Sequence, residues 1–136
     1  AQNVIDEQLE RGLQNIKTFH KNDLYICSLD FETTKEENNS EYILPGRYSS
    51  KIHDILSQEH NKLITIVYFG KFISIRICKN ISNSIKLLEI LKEIKESSEY
   101  IESYGGHSEA ASIKIKLVDK KITNNIILNL IKELEK

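Results

Sequence analysis

The stretch KLITIVYFGKFISIRICK, residues 62–79, restricts the fold more than any other part of the chain. Runs rich in β-branched and aromatic residues flank Gly70-Lys71, and that arrangement reads as a β-hairpin turning at the glycine. In FISIRICK the two-residue period puts Ile73, Ile75 and Ile77 on one face and Phe72, Ser74, Arg76 and Cys78 on the other. A hairpin alone is marginal in water, so other elements must join it and cover its isoleucines.

Periodicity supplies those elements. Ile5, Leu9, Leu13, Ile16 and Phe19 recur at helical spacing and predict an amphipathic helix over residues 3–20. DLYICSLD reads as a buried strand, and the polar FETTKEENNSEY as an exposed loop. Pro45-Gly46 opens a second helix with the stripe Tyr48, Ile52, Ile55 and Leu56. Ser82 or Ser84 is placed to cap a third, with Ile85, Leu88, Leu91 and Ile94 on one face. A strand over residues 112–118 and a last helix bearing Ile122, Ile126, Leu130, Ile131 and Leu134 complete the order. The expected fold is α/β: a single domain with a mixed β-sheet of about four to five strands flanked by helices. A chain of 136 residues is long enough to bury such a core.

Composition narrows the chemistry. Charged residues are 29% of the chain, yet the formal net charge is −1, so any phosphate site must be local. No apolar run approaches a membrane span and no secretory signal opens the sequence, so a cytoplasmic location without a membrane partner is expected. Cys27 and Cys78 are far apart in strand-like runs, which suits reduced, buried thiols and not a metal-binding pair. Asp6, Asp23, Asp30, Asp54 and Asp119 are scattered and do not pair with His at ligand spacing. No nucleophile elbow is present, so no independent catalytic site is expected. His53-Asp54 reads as a solvated helix face, and His20 and His60 as cations near helix ends. The absence of Met and the start at Ala1 suggest a piece excised from a longer protein.

Two motifs remain. In YGGHSEAAS, residues 104–112, two of the five glycines adjoin a histidine. Gly105-Gly106 could simply stop a helix, or could free backbone N–H groups for an anion. His107 could add a hydrogen bond or a positive charge. Arg76, one of three arginines, lies in mid-strand. It is either a solvated residue or a planar fork for a phosphate.

YGGHSEAASIKIK resembles the Gly-Gly-His-x-x-Ala-Ala-Gly signature of the DHH-associated domain, the C-terminal domain of DHH-family phosphoesterases. ISIRICK is similar to that family's Val-Ser-Leu-Arg-Ser strand, and GRYSSKIHDIL to the helix before it in RecJ exonucleases. The likeness covers most of residues 23–118, with the alanyl-tRNA synthetase C-terminal domain a more remote relative. It implies that residues 1–136 are a DHH-associated substrate-binding domain, with 1–20 a linker helix from an N-terminal DHH catalytic domain. By that resemblance Arg76, Gly105, Gly106 and His107 bind substrate phosphate. Catalytic residues, metal ligands and cofactors are then expected to be absent from this chain, with manganese held in the DHH domain. The implied partners are single-stranded nucleic acid or a short oligonucleotide, and the chain's own DHH domain. The implied activity is that of a RecJ-like single-strand exonuclease or oligonucleotide phosphodiesterase. The rival is a non-catalytic scaffold related to RecJ at the replication machinery. Ser112 stands where the family usually has Gly, and Ile77-Cys78 replaces the Ser after Arg, which bears on substrate preference more than on fold.

Overall fold

The hairpin alternation organises the whole molecule. In the computed structural model, which describes residues 17–21, 24–30, 45–117 and 119–135, Ile73, Ile75 and Ile77 are all buried. They belong to strand β4 (Phe72–Ile77), which pairs antiparallel with β3 (Leu63–Phe69) across Gly70 at φ 54°. That left-handed backbone is why glycine occupies the turn. β2 (Leu24–Asp30) runs parallel to β3, and helix α1 (Pro45–Ser57) lies between them in sequence. β1 (Lys17–Lys21) closes one edge antiparallel to β2. At the other edge, β6 (Ala110–Ile115) pairs antiparallel with β4 and with the outermost strand β5 (Ile101–Gly106). The described residues thus form a mixed six-stranded sheet in the order β1-β2-β3-β4-β6-β5.

Helices lie on both faces. One face carries the main core, in which Ile64, Ile66, Ile73, Ile75, Ile113 and Ile115 meet residues of α3 (Leu87–Ser97) and α4 (Lys120–Leu134). The α4 stripe is Ile126, Ile127, Leu130, Ile131 and Leu134, close to the spacing expected, and Asp119 caps it by accepting from the Lys121 and Ile122 N–H groups at 2.9 and 3.1 Å. On the opposite face α1 packs on β3 and β4, and Ile52, Cys27, Leu63 and Val67 are buried. The expected mixed sheet flanked by helices is therefore present.

Several boundaries differ from expectation. The helix predicted over residues 3–20 does not include its last residues, because Lys17–Lys21 is strand β1; its earlier part lies outside the described residues, as do the polar loop and the Tyr48 side chain. Pairing with the outer edge of β2 overrides local helical periodicity there. The predicted third helix is split. A short α2 (Lys79–Ser82) precedes α3, and Ser82 and Ser84 bond back to the Lys79 and Ile81 carbonyls without capping α3. Leu87, Leu91 and Ile94 face the core, while Leu88 is 39% exposed. α3 stops at Ser97, and Ile101–Gly106 is a strand that the sequence reading missed. The last strand ends at Ile115, short of the expected residue 118.

Candidate functional site

Arg76 sits on the α1 face of β4, with Thr65 opposite it on β3 and Ala110 opposite it on β6. It is half-buried, and its Nε is buried without a hydrogen-bond partner. Among the described residues no carboxylate pairs with it. Burying a guanidinium N–H unpaired is costly, and an anionic acceptor would remove that cost. The orphan nitrogen therefore argues against a merely solvated residue.

Gly105 and Gly106 do not stop a helix. They end β5, and residues 107–109 turn the chain into β6. Gly106 has φ 131°, and a side chain there would run into the Ala110 carbonyl oxygen and the Ala111 Cα, with Ala111 Cβ at 2.8 Å. Its role is the tight turn itself. Gly105 has open space where a Cβ would project and pairs with exposed Ser112. It is the glycine that leaves the surface bare. The His107 N–H donates to the Ala110 carbonyl at 2.8 Å, and His107 Nδ1 accepts from the Glu109 N–H at 3.3 Å. With Nδ1 accepting, Nε2 carries the proton, so the exposed ring can donate a hydrogen bond while neutral. The Ile77 N–H donates to Glu109 O at 2.8 Å and ties this turn to the end of the Arg76 strand. Cross-strand pairing thus gathers Arg76, Gly105, Gly106 and the His107 backbone at one end of β4, β6 and β5.

Helix α1 borders this surface. Ser74 donates to Ser49 at 3.1 Å, and one turn later His53 Nδ1 lies 2.7 Å from Thr65 Oγ1. His53 Nε2 lies 3.8 Å from the Cys78 sulfur. His53 is therefore not on a solvated face, as its neighbour Asp54 is; a strand-facing turn of α1 carries it to Thr65. The spacing of His53 one position after Ile52 was the available signal, since a flanking residue sits at the margin of a buried stripe. His60, just past the end of α1, stacks on Tyr25, with ring centroids 3.7 Å apart. Cys27 is buried and Cys78 half-buried, both free; burial pushes the Cys27 thiol up to about 11.

Burial pushes the His53 imidazole below 6.5; the Asp54 carboxylate opposes the fall and the Arg76 guanidinium adds to it. The folded protein thus binds a proton at His53 less readily than the unfolded chain. Its contribution to stability is full above about pH 6.5 and is lost as pH falls through the depressed folded value. Thermal melts should drop as buffers go from about pH 7 to about pH 5, and His53→Gln should flatten that drop. An equal pH slope in the variant would show that His53 is not the group responsible.

Among the described residues no group of three or more His, Cys, Asp or Glu side chains is placed to hold a metal ion, and no helix is long and apolar enough to cross a membrane. An open recess of about 240 Å³ lined by Ser82, Ile85, Leu88 and Ser108, among others, contains neither Arg76 nor His107.

The architecture occurs in solved structures. Over 96% of its length the chain is similar to a DHH-domain protein of the s1p family of ribosomal proteins, with TM-score 0.80 and 22% identity, while spanning 30% of that protein. It is also similar to the C-Ala domain of Aquifex aeolicus alanyl-tRNA synthetase, with TM-score 0.54 and 19% identity, over 88% of this chain and 99% of that one. No family model and no curated protein matches the chain. At these identities the likeness is one of fold, and the fold is shared with a DHH-domain protein.

Proposed function

We propose that the chain is the substrate-binding part of a DHH-family phosphoesterase that acts on single-stranded nucleic acid or short oligonucleotides. The observation that carries this is the unpartnered, buried Nε of Arg76 at the same sheet end as the Gly-Gly-His turn. Likeness of fold to a DHH-domain protein and to a domain of a tRNA synthetase supports it. In this function Arg76 offers its fork to a phosphate, Gly105 leaves room for the ligand to approach, and His107 Nε2 donates from the turn. Manganese ions in a DHH domain would activate the water that attacks phosphorus. In this reading the chain's own part is grip and orientation of the substrate.

The purified chain should bind a labelled single-stranded oligonucleotide, and its affinity should fall with salt by a log–log slope of about −0.7 per phosphate contacted. Manganese should leave the oligonucleotide intact. Absence of salt-sensitive binding would remove the proposed function, and chelator-sensitive hydrolysis by the chain alone would assign it chemistry it is not proposed to have.

A further inference from the structure

On the assumption that Arg76 takes a phosphate, we propose that the sheet surface beside α1, from the ends of β4 across β6, is a track for one nucleic-acid strand, with Phe72 as a base-stacking platform about two nucleotides from that phosphate. Phe72, Ser74 and Arg76 project from the same face of β4, as alternate residues of a strand must. Phe72 is 42% exposed, on a strand whose other face is core. Four residues of antiparallel strand separate it from Arg76 by about 13–14 Å, roughly the reach of two extended nucleotides. Ser74 itself lies under α1, hydrogen-bonded to Ser49, but the sheet beside the helix is low. Ser74 pairs with Ser112, and Ser112 with Gly105, giving a row of small residues across β4, β6 and β5. Ser112 and Gly105 are exposed, so nothing tall rises from β6 or β5 in that row.

Charge matches an anionic strand along this line. Arg76 stands at one end with its orphan nitrogen. At the other, Lys114 is the cross-strand partner of Phe72, its ammonium 3.0 Å from Glu102 in a pair exposed to solvent. Such a pair is worth little and exchanges readily with a phosphate. An aromatic face beside a cation, followed by a flat polar floor and a guanidinium, is the combination that holds single strands without reading sequence. A double helix could not lay its stacked bases on Phe72, so the track selects unpaired strands.

The test uses the whole chain and 5′-phosphorylated thymidine probes of three kinds: the mononucleotide, the trinucleotide, and trinucleotides made abasic at each position in turn, with binding followed by calorimetry or by backbone amide shifts. The trinucleotide should bind more tightly than the mononucleotide. Phe72→Ala should weaken the trinucleotide roughly tenfold and leave the mononucleotide unchanged, and Phe72→Trp should retain the affinity. One abasic probe should reproduce the Phe72→Ala loss on the unaltered protein, which guards against misfolding of the variant. If Phe72→Ala and every abasic probe bind like their parents while Arg76→Ala weakens all of them, the track is wrong and the phosphate site survives. If Arg76→Ala changes nothing, the phosphate site falls and takes the track with it. A dimer that Phe72→Ala disperses, with unchanged trinucleotide binding, would make Phe72 a contact between copies and overturn the track.

Discussion

Gly106→Val is expected to destabilise the domain by at least about 3 kcal/mol, enough to leave much of a marginally stable domain unfolded. Two effects add. The backbone at φ 131° lies in a region that β-branched residues avoid, and the new side chain would collide with Ala110 O and the Ala111 backbone. Backbone cannot step aside as the end of a flexible side chain can, because Ala110 and Ala111 are held by β4 through their pairing with Arg76 and Ile75. Gly105→Ala is the matched contrast. Its Cβ would meet open space, so its melt should lie close to the parent's, with any loss confined to ligand binding. Urea unfolding of both variants decides the matter. Equal midpoints for Gly106→Val and the parent would mean that the turn does not have the described geometry.

Arg76→Ala is expected to weaken phosphate binding by roughly 10- to 100-fold, since charge-assisted hydrogen bonds are worth about 1.5–3 kcal/mol. Stability should move the other way or not at all. The substitution removes a buried, unpaired nitrogen and breaks no hydrogen bond or ion pair among the described residues. That opposition separates a binding role from a structural one. Arg76→Lys should recover only part of the affinity, because a point charge lacks the planar fork. His107→Ala should weaken binding less, through loss of the Nε2 donor, and should also loosen the turn by removing the acceptor for the Glu109 N–H. Lys51→Ala, at an exposed position of α1, is the control that should change little. These values are read as Kd for an oligonucleotide on the chain, or as kcat/KM in a longer protein that contains it. Arg76→Ala binding like the parent would end the phosphate assignment.

The features that were legible in the sequence are local ones. The isoleucine alternation of residues 73–77 marked β4 and its buried face, because a two-residue period has only one geometric meaning in an extended chain. The apolar stripe of α4 was readable for the same reason at helical period. Arg76 stood out as an arginine inside such a strand, and Gly-Gly-His as a backbone oddity, before any neighbour of either was known.

What each feature was for depended on contacts distant in sequence. Lys17–Lys21 is a strand because the edge of β2 is there to receive it, and Ile101–Gly106 because β6 folds back on it. Neither partner can be inferred from periodicity within the segment itself. The role of Gly106 changed from helix stop to hairpin turn once β5 was in place, and only its backbone angle separated it from Gly105. His53 left the solvated class because α1 crosses the strand that carries Thr65, twelve residues away. The sequence by itself determined which residues alternate, which faces are apolar and where unusual residues stand, since those follow from the geometry of one segment. The tertiary structure alone decided which strands pair, which nitrogen of Arg76 is left without a partner, and which small residues form the floor beside it, since each of those is set by a neighbour that the chain reaches only after folding.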